Sequence, residues 1–182
     1  MTRVEADEAG LEHASAVLLK GGVVVIPTDT VYGLAAHPDF PEAVDRLYTI
    51  KGRAENKPIA LLAADAAAAE RFTGEFPSVA RELARHWPGG LTLVIGGEGV
   101  RVPDHEWTRR LLARCGGVLR VTSANLSGQR PATDAPAALA DVGLSADVVV
   151  DDGISPGGVA STVVEVSSRG ECVLLRAGAV RI

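Results

Sequence analysis

The chain has 182 residues, of which 47% are hydrophobic, 4% aromatic and 23% charged, and its formal net charge is -5. These values indicate a single compact domain with a core of small aliphatic side chains. They argue against a chain whose main task is to grip nucleic acid, because that affinity comes from clustered Lys and Arg. The apolar runs fall short of the roughly 20 residues that a membrane span requires, and the N-terminus lacks the apolar core of a signal peptide. We therefore expect a cytoplasmic protein that does not associate with membranes.

Short apolar runs alternate with helical patterns along the chain, which is typical of an α/β domain. Strands are predicted near residues 23, 59, 91, 118, 147, 161 and 172. Helices are predicted between them, over residues 11–21, 41–52, 65–72 and 78–87. Ser78 is expected to cap the last of these helices and Pro88 to stop it. Because the final third is rich in strands, the expected fold class is a single α/β domain with a twisted, mixed central sheet flanked by helices.

Two of the predicted strands run directly into small polar side chains. Pro-Thr-Asp-Thr follows the strand near residue 23, and Thr-Ser-Ala-Asn ends the strand near residue 118. Ligands of open α/β sheets bind beyond the strand ends, so Thr28, Ser123 and Asn125 are candidate binding residues. Ser123 and Asn125 are two apart and can share one face of an extended segment. The sequence leaves open the alternative that these side chains only cap turns.

The segment KGRAENKP, residues 51–58, concentrates positive charge. The chain has only three lysines, at positions 20, 51 and 57, and two of them fall here beside Arg53. Cations also stabilise helix C-termini, so a solvated helix end before Gly52 is one interpretation. The other is an anion clamp, in which lysine supplies a point charge and arginine a fork, a combination suited to a triphosphate.

Several familiar chemistries lack their motifs in this sequence. There is no GxxxxGK[ST] loop or dinucleotide fingerprint, no GxSxG elbow, and no histidine spacing typical of metal ligands. Cys115 and Cys172 have no CxxC spacing and are expected to be buried free thiols. If the chain is an enzyme, its nucleophile is therefore expected to arrive with a substrate.

Seven motifs carry a resemblance to a known family, and they read PTDTVYGL, KGRAENKP, WPGGLTL, VRVPDH, SANLSG, ASTVVEV and LLRAGAV. In this order they resemble the YrdC-like threonylcarbamoyl-AMP synthase family, of which the chain is identified as a short, single-domain member. The likeness runs from about residue 11 to the C-terminus. A YrdC-like domain is expected to span residues 1–182.

The resemblance implies a nucleotidyltransferase that makes threonylcarbamoyl-AMP and pyrophosphate from L-threonine, bicarbonate or carbon dioxide, and ATP. Partner proteins would use the product to modify the adenosine beside the anticodon of certain tRNAs. Mg²⁺ is expected with ATP, although no set of metal ligands can be read from the chain.

The resemblance also implies roles for individual residues. Lys51 and Arg53 would be catalytic. The residues that would bind threonine are Thr28, Arg101, Val121 and Ser161. Those that would bind ATP are Arg53, Lys57, Ser123, Asn125 and Arg176.

The chain departs from the family pattern at four positions. Ala54 and Gly90 replace prolines, Leu62 stands near the place of a histidine, and Gly97 stands near the place of a threonine. The short Gly-Gly-Glu-Gly connection before Arg101 predicts a tight β-hairpin. Because this connection is shorter than in the family, the sequence leaves open whether threonine is the amino acid that the site selects. The extra C-terminal domain of longer members is expected to be absent.

Two other functions remain open at this point. One is a related enzyme that makes a carbamoyl-adenylate with another acceptor. The other is an RNA-binding or ribosome-assembly module with a basic concave face, and weak contact with RNA is compatible with both. The residues expected to build that face are Lys51, Arg53, Arg120, Arg130 and Arg176.

Overall fold

A computed structural model describes the backbone of residues 1–182 and the surroundings of each residue except Gly143. The helices are α1 (Glu8–Leu18), α2 (Pro41–Lys51), α3 (Ala66–Thr73), α4 (Ser78–Leu83), α5 (Glu106–Arg114) and α6 (Ala135–Asp141). Short 3-10 helices cover Ala84–His86 and Gly143–Ser145. The strands are β1 (Thr2–Glu5), β2 (Val23–Ile26), β3 (Gly33–Ala36), β4 (Leu61–Ala63), β5 (Leu91–Ile95), β6 (Glu98–Arg101), β7 (Val118–Ser123), β8 (Val148–Asp151), β9 (Thr162–Val166) and β10 (Cys172–Arg176).

The ten strands form one sheet in the order β1-β8-β2-β3-β7-β4-β6-β5-β9-β10. Four neighbouring pairs are parallel, namely β1–β8, β2–β8, β4–β6 and β5–β9. The other five pairs are antiparallel. The predicted mixed α/β sheet is therefore confirmed. Over the described part of the chain, every helix is too short or too polar to cross a membrane.

Helices cover both faces of the sheet, as β2 shows. Val23 and Val25 pack in a cluster with residues of α2 and α6, whereas Val24 and Ile26 pack with residues of α1 and α5. Successive side chains of a strand point to opposite faces. Four consecutive apolar residues therefore require cover on both faces of the sheet. The polar segment that follows Ile26 begins where these two apolar clusters end.

Four elements escaped the sequence analysis, namely β1, β3, α5 and α6. The residues of β3, Gly-Leu-Ala-Ala, have little preference for strands, but β3 pairs with β2 on one side and β7 on the other. Helix α5 is capped by His105, whose side chain accepts from the backbone N–H of Thr108, and histidine is outside the usual capping set. Both elements depend on tertiary context more than on local preference.

Two smaller expectations were wrong, namely the capping of α4 by Ser78 and the burial of Cys172. The residue before α4 is Pro77, and Ser78 is the first helical residue and makes no side-chain capping bond. The helix ends at Leu83, ahead of Pro88, and continues as a 3-10 turn to His86. Cys115 is buried and free as predicted, but Cys172 is exposed, because it lies on an edge strand.

That edge strand is β10, which pairs with β9 alone among the described strands. All five of its residues are exposed. The pairing register shifts between Leu174 and Arg176, which marks a bulge. Bulges re-aim side chains near strand ends, and this one precedes the side chain of Arg176.

The connection between β5 and β6 is a two-residue hairpin. Ile95 pairs with Glu98, and Gly96 and Gly97 between them have φ angles of 60° and 85°. Two central residues with positive φ are typical of a type I′ turn, whose twist matches that of the flanking strands. The predicted tight hairpin is confirmed, and it leads directly into the strand that carries Arg101.

We expect Gly96→Ala to lower the free energy of unfolding by roughly 1 kcal/mol, because the left-handed conformation crowds a Cβ against the backbone. Gly96→Asn should cost less, since asparagine tolerates this conformation. An added Cβ at Gly96 meets nothing within 4 Å, so packing does not obscure the comparison. Urea denaturation of the three proteins measures both losses. Equal losses would show that backbone conformation does not select glycine here.

Candidate functional site

A cleft of about 410 Å³ lies over one face of the sheet, where alternate residues of β5 (Thr92 and Val94) and of β6 (Gly99 and Arg101) line it. The segment after β2, the end of β7, the residues before β4, and parts of β5, β6 and β9 all contribute to its wall. Seven residues singled out from the sequence line it, namely Thr28, Arg53, Arg101, Val121, Ser123, Ser161 and Arg176. Three others do not, namely Lys51, Lys57 and Asn125. The sheet thus brings most of the candidate residues together from distant parts of the sequence.

The hydroxyl groups after β2 serve both the local turn and the cleft. Thr28 Oγ1 donates to the carbonyl of Val31 at 2.7 Å and accepts from the backbone N–H of Thr30 at 3.1 Å. The Oγ1 atoms of Thr28 and Thr30 are themselves 3.1 Å apart. The turn-capping interpretation is therefore correct for Thr28, and Thr28 and Thr30 also line the cleft.

Arg101, at the end of β6, lies on the floor of the cleft with 6% of its surface exposed. Its Nε donates to the carbonyl of Gly89 and its Nη1 to Thr30 Oγ1, each at 2.8 Å. Its Nη2 donates to Oδ1 of Asp29. Burial lowers the pKa of Arg101 below its ordinary value, an effect that the carboxylate of Asp29 opposes. The result is a fixed, desolvated cation beside the hydroxyl of Thr30 in the cleft.

Ser161 and Arg176 form a second polar group along the wall. Nε and Nη2 of Arg176 donate to the carbonyl of Ser161 at 3.0 and 2.8 Å, and Nη2 also donates to Ser161 Oγ at 3.0 Å. The hydroxyl of Ser161 lies 2.8 Å from that of Thr92, another lining residue. These contacts hold the guanidinium of Arg176 against the loop before β9.

Arg53 faces the same cleft from the loop after α2. Its Nε donates to the carbonyl of Lys57 at 2.9 Å and its Nη2 to that of Pro58 at 3.0 Å. Among the ion pairs of the described residues, neither Arg53 nor Arg176 has a carboxylate partner. Burial lowers the pKa of Arg176, and the positive charge of Arg53 lowers it further. Two nearby cations without counterions make this part of the cleft suited to an anion.

Lys51 lies behind the cleft, because its side chain points back into the protein. It is 2% exposed, and its Nζ donates to the carbonyl oxygens of Ser123 and Asn125, the latter at 2.6 Å. Burial, and then the positive charge of Arg53, lowers the pKa of Lys51 to about 8. The geometry therefore makes this ammonium a support for the end of β7, and the expectation that it forms a direct clamp with Arg53 does not match the placement.

Asn125 also faces away from the cleft. Its Nδ2 donates to the carbonyls of Leu126 and Gln129 at 2.8 and 2.9 Å, so the amide closes the loop after β7. Ser123 does line the cleft, and the expectation that both side chains share one ligand-facing surface is wrong because the chain turns after the strand. Lys57 is exposed on the loop before β4.

The basic face proposed for RNA is not assembled in this structure. Lys51 is buried, and Arg120 donates to the carboxylate of Glu98 at 2.8 Å and to the carbonyl of Ile59 at 2.9 Å. Arg53 and Arg176 line the cleft, while Arg130 is exposed on the loop after β7. The five cations therefore do not form one exposed surface.

Sequence reasoning missed several contributors to the site, among them Thr30, Asp29 and Thr92. Asp29 lies in the same polar segment as Thr28, but its pairing with Arg101 joins positions 72 residues apart. Thr92 interrupts the apolar pattern of β5, and its Oγ1 contacts Ser161. A polar residue within an otherwise apolar strand was the available signal for Thr92. No local signal identified the partner of Asp29.

Comparison with known proteins places these features in a family. The model of the Sua5, YciO and YrdC family, described as "Telomere recombination", matches residues 16–178. The threonylcarbamoyl-AMP synthase of Bacillus subtilis is 34% identical, and the match covers 97% of this chain and 56% of that protein. The putative threonylcarbamoyl-AMP synthase of Mycobacterium leprae is 36% identical, over 95% of this chain and 84% of that protein.

Solved structures show the same fold. The Pyrococcus abyssi Sua5 protein, in a complex with L-threonine, matches with a TM-score of 0.87 and 32% identity, covering 97% of this chain and 56% of that one. Escherichia coli YciO matches with a TM-score of 0.84 at 21% identity, over 97% and 94% of the two chains, and this likeness concerns the fold alone. The chain thus spans little more than half the length of some relatives. It belongs to the Sua5/YciO/YrdC family.

Proposed function

We propose that this chain forms L-threonylcarbamoyladenylate and pyrophosphate from L-threonine, bicarbonate or carbon dioxide, and ATP. The observation that carries the proposal is that one cleft contains two kinds of cationic group. Arg101 is buried and bonded to the hydroxyl of Thr30, and Arg53 and Arg176 approach the same cleft without carboxylate partners. A small carboxylate suits the first environment and a polyphosphate the second.

The relatives support this assignment. Those of Bacillus subtilis and Mycobacterium leprae are named threonylcarbamoyl-AMP synthase and putative threonylcarbamoyl-AMP synthase, and the Pyrococcus abyssi neighbour is a complex with L-threonine. We extend that activity to residues 1–182, which we propose to be one YrdC-like domain. The product would serve tRNA-modification proteins in the cytoplasm.

The proposed reaction requires no nucleophile from the protein. The threonine amine attacks carbon dioxide, forming a C–N bond and releasing a proton to give a carbamate. A carbamate oxygen then attacks the α-phosphorus of ATP, and the bond from that phosphorus to the β-phosphate oxygen breaks to release pyrophosphate. The protein would contribute by holding the reactants in line and by offsetting charge on the phosphates.

The roles are assigned from the surroundings of these cationic groups. The threonine carboxylate would face Arg101, with Thr28, Val121 and Ser161 around the amino acid. The phosphates would lie between Arg53 and Arg176, beside Ser123. Lys57 is exposed and close to Arg53 in sequence, so it would reach the phosphates from the loop.

Lys51 and Asn125 would act indirectly in this proposal. The ammonium of Lys51 holds the carbonyls at the end of β7, and the amide of Asn125 closes the loop that follows. Together they fix the backbone that presents Ser123. The lysine is therefore assigned a supporting role, and the ATP-binding role expected of Asn125 would be exerted through the backbone.

Mg²⁺ is expected to enter with ATP. Across the described residues, no group of three or more His, Cys, Asp or Glu side chains is placed to hold a metal ion. The chain's own donors therefore do not fit a resident magnesium site, and none of the steps above depends on one. The cations named above would share the neutralisation of the phosphates.

The first test is pyrophosphate release by the purified chain. Release should require L-threonine, bicarbonate and ATP together, so that omission of any one abolishes it.

Replacing threonine by serine tests the choice of acceptor, because one methyl group in a pocket is worth only about 1 to 3 kcal/mol. Since Gly97 contributes no side chain to the lining of the cleft, we expect appreciable activity with serine. A chain that releases no pyrophosphate with either amino acid would contradict the proposed function.

Arg53→Ala should lower kcat/KM for ATP by about tenfold or more, equivalent to about 1.4 kcal/mol of transition-state stabilisation. The matched control is Arg46→Ala, which removes a cation that pairs with Asp147 outside the cleft. Steady-state kinetics with ATP varied at saturating threonine gives the comparison. Equal losses in the two variants would mean that Arg53 has no special relation to ATP.

The lowered pKa of Lys51 predicts that the free energy of unfolding depends on pH. Its pKa is about 8 in the folded protein and 10.5 ordinarily, so between these values the unfolded chain binds more protons than the folded one. The free energy of unfolding therefore gains a contribution that rises with pH across this window. Wild type should become more stable relative to Lys51→Met as pH increases from 8 toward 10.5.

Denaturant titrations at several pH values measure this difference. Other groups that titrate in the same range are common to both proteins and cancel in the comparison. Lys20→Met is the control, because Lys20 is an exposed lysine after α1. A slope of the same size in that control would remove burial of Lys51 as the cause.

A further inference from the structure

Asp29 has no role in the reaction described so far, yet it is the one carboxylate that contacts Arg101 in the described structure. Its side chain is 13% exposed, and that of Arg101 is 7% exposed. Asp29 does not line the cleft, whereas Arg101 does. The carboxylate therefore reaches the cleft only through the guanidinium that it binds.

The hydrogen bonds of Arg101 leave room for a ligand. A guanidinium has five N–H donors. One on Nε goes to the carbonyl of Gly89, one on Nη1 to Thr30, and one on Nη2 to Asp29. Within the described residues, each terminal nitrogen keeps one N–H without a protein acceptor. Each of these two N–H groups can donate to an oxygen atom of a ligand.

The backbone of Asp29 is itself held by a hydrogen bond. Its backbone carbonyl accepts from the N–H of Gly157 at 3.0 Å, in the segment that leads to Ser161. The residues on either side, Thr28 and Thr30, are joined through their hydroxyls at 3.1 Å. The backbone that carries the carboxylate is therefore fixed by contacts within the fold.

We infer that Asp29 is a positioning residue for the amino-acid substrate and acts by orienting the guanidinium of Arg101. This inference rests on the proposed function, in which Arg101 faces the threonine carboxylate. Without an acceptor at Nη2, the guanidinium keeps its charge but loses one of the three contacts that define its plane. Small misalignments of positioning groups cost substantial binding and rate.

The alternative role for Asp29 is charge compensation alone, since a buried cation needs a nearby anion. The two roles differ in what an amide can do at this position. In the Asp29→Asn variant the side-chain amide oxygen would still accept from Nη2 of Arg101, although the negative charge is gone. Orientation survives this change, and charge compensation does not.

The experiment is calorimetric titration of the full chain with L-threonine and, separately, with ATP. Asp29→Ala should raise Kd for threonine by about tenfold or more, whereas Asp29→Asn should stay within about threefold of wild type. Kd for ATP should change by less than about threefold in both variants. If Asp29→Ala melts below the assay temperature, Asp29→Ser supplies the truncation.

Asp151→Ala is the matched control, because Asp151 pairs with Arg3 and its side chain is 12% exposed. It should lower thermal stability without a selective effect on threonine. Equal threonine losses in Asp29→Asn and Asp29→Ala, parallel losses of ATP and threonine, or normal threonine binding by Asp29→Ala would each overturn the inference. Failure of wild type itself to bind threonine would instead overturn the proposed function, and this inference with it.

Discussion

The buried guanidinium of Arg101 joins three segments that are far apart in the sequence. It extends from the end of β6, bonds the carbonyl of Gly89 before β5, and bonds Asp29 and Thr30 after β2. A buried charge is costly unless its partners surround it, so these segments must meet in one arrangement. The cleft exists where they meet. Its floor is therefore determined by an electrostatic requirement as well as by apolar packing.

The cations of the segment KGRAENKP have different surroundings in the folded protein. Lys51 belongs to the last turn of α2 and turns inward, while Arg53, two residues later, faces the cleft. One cation supports backbone carbonyls and the other remains without a carboxylate partner in the described chain. Because α2 ends between Lys51 and Arg53, the two neighbouring cations point in different directions. Lys51 stabilises the protein interior, and Arg53 is available to a ligand in the cleft.

The strands rich in valine and isoleucine were predictable, because β-branched runs bounded by polar residues favour strands. Short elements such as β3 were not, since four small residues become a strand only between two others. In the site, the grouping of Thr28, Ser123 and Arg101 followed from polar residues at strand ends and from family resemblance. The inward direction of Lys51 and the contact between Asp29 and Arg101 depend on three-dimensional packing, which no local pattern encodes.

The residues that line the cleft lie on strands with different numbers of paired neighbours. Arg101 lies on β6, which is paired on both sides, whereas Arg176 lies on β10, which is exposed throughout and paired on one side. Edge strands open locally at lower free energy than central strands. Amide protons of β10 should therefore exchange with solvent before those of β6 and β4. A ligand that contacts both Arg101 and Arg176 would link an edge strand to a central one, and its binding would slow amide exchange most in β10.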